Sequence, residues 1–409
     1  MFVQHETVLK LAATVVMAAI ALLNARQVQA QGGLVVENAA VSVDFGRTIT
    51  FSARIKTPIP IKQASILLRG VNEEVIRVET LKVAQDGSVD FTYDTSHNAL
   101  PPFGTVVFWF QATLEDDNTY TSAPITFVYD DNRFPWHVIN RARLNLHWYA
   151  GDDSFGAAAL DAAGSSLLAI RDIFPLPLTD PIDIYIYSNP QDMQNASSLG
   201  GKDWAAGHTD PGIGVVLVAI EPGPNQALEM NTKIPHELAH LILFRALGDG
   251  YARQPVWLLE GIASMAELHP NPDYALALQT AARNGSLLSL KDLCASFPVD
   301  AGNAFLAYAQ SQSFVAYIRN TYGNSSLTRL TGSYTDGFSC DLGATNALGI
   351  PLSQLDTRWR VTVPGQNVLG AAARSLTPFI LLMALVVIVP LWGAIDMVRE
   401  RRKRGQQPK

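Results

Sequence analysis

The N-terminal third of the chain carries short segments in which apolar and polar residues alternate. These segments are rich in Val, Ile, Thr and Phe, and Gly, Pro, Asn and Asp separate them, which is typical of β-strands joined by turns. They are VSVDF, TITFSARI, ASILLRG, EVIRVETLKV, SVDFTYD, TVVFWFQATL and ITFVY. About seven strands in roughly 100 residues predict an antiparallel β-sandwich of the immunoglobulin or fibronectin type III kind over residues 34–130.

Beyond residues 130–136 the pattern changes to helical periodicity with few strands. Residues 152–174 predict an amphipathic helix, while IDIYIYS (182–188) and GIGVVLVAI (212–220) predict strands. Further helices are predicted at 232–247, 256–268, 273–284 and 303–320. This order of elements predicts an α+β domain with a small sheet followed by helices.

The N-terminus has the layout of a secretory signal peptide. Lys10 precedes an uncharged apolar run from Leu11 to Leu23, and Val28 and Ala30 supply small residues for cleavage. Residues 1–30 are therefore predicted to be a signal peptide, and an uncleaved N-terminal anchor is the alternative.

The C-terminus predicts a membrane span. No charged residue occurs from Ser375 to Ile395, and about 20 apolar residues suffice to cross a bilayer as a helix. We expect a juxtamembrane linker at 356–374, a transmembrane helix at 375–396 and a cytoplasmic tail at 397–409, since the basic run RERRKR follows the span. The body of the protein is then extracytoplasmic, at the cell membrane.

Charge and cysteine content add two expectations. The net charge is −7, so no overall basic field indicates a nucleic-acid partner. The two cysteines, Cys294 and Cys340, both lie in the exported portion, where an oxidising compartment favours a disulfide; two free buried thiols are the alternative.

The segment IPHELAHLILF (234–244) carries three polar groups in an apolar helix. His236 and His240 lie one turn apart on the same helix face, where both imidazoles can reach a single metal ion, and Glu237 projects beside them. Asn231 or Thr232 is expected to cap this helix, which would place Pro235 in the first turn. Burying two histidines and a carboxylate is costly unless a partner such as a metal satisfies them, although HExxH also occurs by chance.

A zinc site needs a third protein ligand. The metzincin continuation is excluded, because Leu243 and Ala246 stand where that motif has glycine and histidine. Glu260, in the downstream helix, is the predicted ligand, and Gly261 beside it is expected to let this helix approach the HELAH helix closely. A solvated glutamate at a helix start is the alternative for Glu260. Glu267 and His269 are weaker candidates.

HELAH followed after about twenty residues by WLLEGIASMAE resembles the gluzincin metallopeptidases, specifically the peptidase MA-like group related to the M1 aminopeptidases. The resemblance extends over residues 136–355. It implies that His236, His240 and Glu260 bind Zn2+, that Glu237 is the catalytic base, and that the substrate is a peptide or protein. Tyr308 matches the family's oxyanion-stabilising tyrosine, but the lysine and glycine of that motif are missing. The exopeptidase signature GxMEN is absent, so aminopeptidase activity is not implied.

The family chemistry needs a zinc ion to activate water and a carboxylate to accept its proton. An extended peptide is expected to add to the edge of the strand GIGVVLVAI. Two other classes of function remain open: an inactive peptidase-like binding protein, and a surface adhesin in which the sandwich binds the partner.

Overall fold

A computed structural model of the protein describes residues 33–96, 100–173, 180–197, 207–210 and 214–363. The predicted signal peptide and the predicted transmembrane helix with its basic tail lie outside these ranges. Among the residues described, no helix combines the length and the apolar character that a membrane crossing requires.

The β-rich N-terminal region consists of two antiparallel sheets that share a core. One sheet has the strand order β1-β2-β5 and the other β4-β3-β6-β7, with β8 also paired to β6. The bounds are β1 Val35–Asp44, β2 Thr48–Lys56, β3 Ile61–Gly70, β4 Arg77–Leu81, β5 Ser88–Asp94, β6 Thr105–Leu114, β7 Thr119–Thr121 and β8 Ile125–Val128. The Phe51 ring of the first sheet lies 4.9 Å from Phe108 and 5.9 Å from Phe127 of the second. Alternating side chains of β6 are buried, which is the period-two pattern of the sequence.

A third sheet, of mixed strand direction, follows. Its strands are β9 His137–Arg141, β10 Leu144–Trp148, β11 Ile182–Tyr187, β12 Gly207–Asp210 and β13 Val215–Ala219, in the order β12-β13-β11-β10-β9. The strands β10, β11 and β13 are parallel, so their carboxyl ends meet at one edge of the sheet. Helix α1 (Asp153–Ile173) connects β10 to β11, and helix α2 (Pro190–Ser197) follows β11.

The expectation that a peptide adds to the strand GIGVVLVAI is wrong. β13, which this segment forms, has β12 on one side and β11 on the other. All five of its side chains are buried, which explains its unbroken apolar sequence. The outer strand at this side of the sheet is β12, which the sequence pattern did not predict.

Helices make up the remainder. They are α3 Gln226–Leu247, α4 Val256–Ala266, α5 Asp273–Asn284, α6 Ala301–Tyr322, α7 Ser325–Thr335, α8 Cys340–Leu348 and α9 Leu352–Thr362, with short 3-10 helices at Gly248–Arg253 and Asp292–Cys294. A disulfide joins Cys294 to Cys340, with Cα atoms 6.2 Å apart, which confirms the predicted pairing.

The described residues divide into two compact units. The first lies within residues 1–164 and 177–241 and contains both sheet systems, whose cores are continuous: the Phe103 and Tyr185 rings are 4.4 Å apart. The second lies within residues 165–176 and 242–409, and its helices pack around buried aromatic residues. There the Phe314 ring lies 5.0 Å from Trp257 and 5.7 Å from Trp359.

Candidate metal centre

The helix that carries both histidines, α3, starts earlier than its sequence predicts. It begins at Gln226, so Pro235 lies inside it rather than in its first turn. Asn231 and Thr232 are not caps, because their side chains donate hydrogen bonds back to carbonyl oxygens of the preceding helical turn, Asn231 to Ala227 at 2.7 Å and Thr232 to Leu228 at 3.1 Å. Pro235 has no N–H to bond the carbonyl oxygen four residues earlier, and proline is common in the first turn of a helix. The sequence therefore predicts a helix start that is too late.

The apolar residues of the motif and its polar groups lie at different depths. Leu238, Ala239 and Leu241 are fully buried, whereas His236, Glu237 and His240 are half-buried. The polar side chains of the motif therefore lie on a part of α3 that the core leaves partly accessible. A ligand can reach them there without unfolding the helix.

The two imidazole rings lie close together, at a steep angle to each other. The Nε2 atoms of His236 and His240 are 3.3 Å apart, and the ring centroids are 5.0 Å apart. Two nitrogen ligands at about 2.0–2.1 Å from one tetrahedral zinc ion are separated by about 3.3 Å. The spacing of the two rings therefore fits a shared zinc ion.

Glu260 joins this pair. The ligand atoms of His236, His240 and Glu260 all lie within 4.8 Å of one another, and all three side chains are half-buried. In the part of the chain that the structure describes, these three residues form the group that can hold a metal ion. Two imidazoles and a carboxylate are a ligand set of catalytic zinc sites, which leave a fourth position for water or substrate.

The two weaker candidates for the third ligand lie elsewhere on the chain. Helix α4 ends at Ala266, one residue short of Glu267, whose backbone is already extended with ψ of 130°. His269 is exposed in the turn that follows. Neither belongs to the group of ligands around His236 and His240.

The glycine beside Glu260 permits a close helix contact, but its partner differs from the expected one. A Cβ atom at Gly261 would lie 2.5 Å from the carbonyl oxygen of Ser311 and would also clash with Val315, both on α6. The amide of Gln312, on the same helix, donates to the carbonyl of Ser264 at 3.0 Å. Glu260 is therefore positioned by the packing of α4 against α6.

Two tyrosines of the helical unit are relevant to the candidate site: one was predicted from the sequence to be catalytic, and the other lies near Glu260. Tyr308, on α6, is half-buried, and its ring meets Phe297 edge-on at 5.0 Å; its catalytic role stays a prediction. Tyr274, on α5, is a further residue near Glu260 that the sequence did not predict. Burial raises the pKa of the Tyr274 hydroxyl, and the carboxylates of Glu267 and Glu260 raise it further, so it stays protonated near the candidate ligand. No local pattern marks Tyr274, because its position near Glu260 arises from tertiary packing.

Comparisons with solved structures give only partial likenesses. A structure described as a myokine is 14% identical over 22% of this chain and 89% of that chain, with a TM-score of 0.18. The β-1,3-glucan binding domain of carbohydrate-binding module family 56 is 11% identical over 22% of this chain and 95% of that chain, with a TM-score of 0.16. OgpA from Akkermansia muciniphila is 18% identical over 27% of this chain and 36% of that chain, with a TM-score of 0.21. These scores are too low to indicate a shared overall fold.

No curated protein matches the chain at a significant level. The family model of the peptidase MA superfamily, in contrast, matches residues 162–365, the range that contains His236, His240 and Glu260. The match supports the resemblance to this superfamily of zincin peptidases. A β-rich N-terminal region thus precedes a helical region that matches the peptidase MA superfamily.

Proposed function

We propose that this protein is a zinc-dependent peptidase of the gluzincin type, in which His236, His240 and Glu260 bind the metal and Glu237 is the general base. One observation carries the proposal: the two histidine Nε2 atoms are 3.3 Å apart, and a carboxylate oxygen of Glu260 lies within 4.8 Å of them. The match of this region to the peptidase MA superfamily supports it.

The donor set suits zinc. Imidazole nitrogen and carboxylate oxygen are among its preferred ligands, and half-buried side chains leave room for a substrate to approach. When bound, zinc acts as a Lewis acid that makes water acidic near neutral pH and polarises the scissile carbonyl.

The residues of the chain have separate tasks in this scheme. Glu237 follows His236 directly and lies half-buried on the same stretch of α3. Its carboxylate accepts the proton of the attacking water and donates it to the leaving amine. Proton transfer of this kind contributes a factor of about 10²–10⁴ to the rate.

We further propose that the catalytic domain is held at the outer face of a cell membrane. The support comes from the sequence: a signal-peptide pattern over 1–30, an uncharged run within 375–396 and a basic tail at 397–409. In this arrangement the peptidase acts on extracytoplasmic peptides or proteins.

Cleavage of a mixed peptide library by the purified full-length protein tests the proposed activity. We expect mass spectrometry to detect new peptide termini, a chelator to abolish them and added zinc to restore them. A protein that contains no zinc and cleaves no peptide would instead be an inactive, peptidase-like binding protein.

A further inference from the structure

A cavity of about 620 Å³ lies in the first unit, where the carboxyl ends of β10, β11 and β13 meet the first turns of α3. It is lined by Ala150, Ser188, Asn189, Pro190, Ala219, Glu221, Pro222, Glu229 and Lys233. Its size is in the range of ligand pockets, and ligands of open α/β sheets bind at the carboxyl ends of the strands. The sequence pattern gave no indication of this cavity.

The charges in the cavity do not cancel. The ammonium group of Lys233 donates to the Ala219 carbonyl oxygen at 2.7 Å and to the Glu229 carboxylate at 2.9 Å, so Lys233 and Glu229 neutralise each other. Glu221 is exposed and, among the residues that the structure describes, has no hydrogen bond or ion pair. One uncompensated carboxylate is left in the cavity.

The neutral polar groups of the lining are already engaged. The Ser188 hydroxyl is 2.9 Å from the Tyr149 hydroxyl. The Asn189 amide donates to the Asp192 carboxylate at 2.6 Å. Glu221 is therefore the polar group that is most available to a ligand, and it favours a cation.

The cavity borders the stripe of α3 that carries the histidines. Glu229, Lys233, His236 and His240 are spaced by four, three and four residues, which keeps them on one face of the helix. Lys233 precedes His236 by about 4.5 Å of helix rise. An extended peptide advances by about 3.3 Å per residue, so a side chain in the cavity is about one or two residues away from a bond held at the histidines.

We propose that this cavity is a specificity pocket that binds a basic side chain, lysine or arginine, of a peptide substrate. The side chain lies about one or two residues from the scissile bond, and Glu221 pairs with its charge. This inference rests on the proposed peptidase function for the identity of the ligand as a substrate.

Binding of matched peptides tests the pocket without requiring hydrolysis. The probes are fluorescent peptides that carry one lysine, or norleucine in its place, at each of the three positions on either side of a central bond. They are titrated against the full chain with Glu237→Gln, which slows turnover enough for binding to be measured. We expect lysine to improve the Kd about fivefold over norleucine at one or two neighbouring positions, the size of a partly exposed ion pair.

Two substitutions should change the ratio of the norleucine Kd to the lysine Kd in opposite directions. Glu221→Gln removes the free carboxylate and is expected to abolish the preference for lysine over norleucine. Lys233→Gln leaves Glu229 without its ammonium partner and is expected to increase the preference. Glu115→Gln, an exposed glutamate of the β-rich region outside the cavity, is the matched control and should leave the ratio at about fivefold.

The outcomes separate the pocket from the peptidase. A lysine preference that survives Glu221→Gln, or no preference at any position, would contradict the proposal of a specificity pocket. If the wild-type protein cleaves peptides without any preference for basic residues, the pocket proposal is wrong and the proposal of peptidase activity is unaffected. If binding depends on Glu221 but no peptide is cleaved, the cavity is a site for basic peptides and the peptidase proposal fails.

Discussion

The Nε2 atoms of His236 and His240 face each other at 3.3 Å across one turn of α3. The four-residue spacing alone puts two side chains on one face, but it does not make their ring nitrogens converge. Convergence to the separation that a tetrahedral ion requires, with a Glu260 carboxylate oxygen within 4.8 Å, is what points to metal chemistry rather than to two unrelated polar residues.

The role of Glu237 can be separated from metal binding by one substitution. Glu237→Gln keeps the size of the side chain but removes its basicity, so we expect peptide hydrolysis to fall by about 10²–10⁴ while the zinc content stays at the wild-type level. Steady-state kinetics and metal analysis of the same preparation measure both. Hydrolysis at the wild-type rate would show that another group is the base.

The disulfide between Cys294 and Cys340 should stabilise the helical unit. It closes a loop with a sequence separation of 46, and the chain-entropy estimate for this length is about 4 kcal/mol. We expect the double variant Cys294→Ala/Cys340→Ala to lose roughly this amount in urea denaturation, and reduction of the wild type to have a similar effect. Two free thiols in the denatured, unreduced wild type would contradict the bridge.

Glu73 and Arg77 in the β-rich region predict a pH-dependent contribution to stability. Burial acts to raise the pKa of Glu73, but hydrogen bonds from Arg77, at 2.6 Å, and from the Gly70 amide outweigh it and hold the pKa below its usual value. A carboxyl whose pKa is lowered by folding stabilises the fold above its unfolded pKa, and this stabilisation is lost as the pH falls through the folded pKa.

Glu73→Gln should therefore reduce the free energy of unfolding by about 1 kcal/mol at pH 7 and have little effect once the wild-type carboxyl is protonated. Urea denaturation of both proteins between pH 7 and pH 3 measures the difference. The exposed Glu115→Gln serves as control. A stability difference that stays constant over this range would show that the carboxylate charge does not contribute.

The proposed topology is testable on intact cells. Protease added from outside should digest the body of the protein and leave a protected fragment that ends at Lys409, because the basic tail is held inside. Western blotting against a tag after Lys409 detects this fragment. A tag that antibody reaches on unpermeabilised cells would contradict the orientation.

Sequence periodicity was sufficient where an element carries its own hydrophobic signal. It predicted most strands of the β-rich region, α1 and most of the later helices, since alternating and helical patterns reflect burial directly. It missed β9 and β10, although the LNLHW sequence of β10 does alternate. It also missed β7, Thr119–Thr121, and β12, Gly207–Asp210, because a short polar strand has no apolar alternation of its own. Such strands are fixed by hydrogen bonds to a neighbour.

The same distinction applies to the candidate site. That His236 and His240 share one helix face follows from helix geometry, so the sequence alone predicts it. The helix packing that positions Glu260, at Gly261 against α6, depends on tertiary contacts, and the sequence assigned Gly261 to the wrong neighbour. Tyr274 and the cavity at Glu221 combine residues from separate elements, for which no local pattern exists.

The central claim is that His236, His240 and Glu260 form a zinc site, and metal content tests it most directly. Glu267, one residue beyond the end of α4 and about 10 Å further along, provides the matched control. A hydrogen bond between two neutral imidazoles would give a similar ring spacing without any metal, so the measurement has to count zinc. We expect about one zinc ion per chain in the wild type and in Glu267→Ala, and loss of zinc in Glu260→Ala. Zinc retained in Glu260→Ala and lost in Glu267→Ala, or a wild type that binds none, would contradict the assignment.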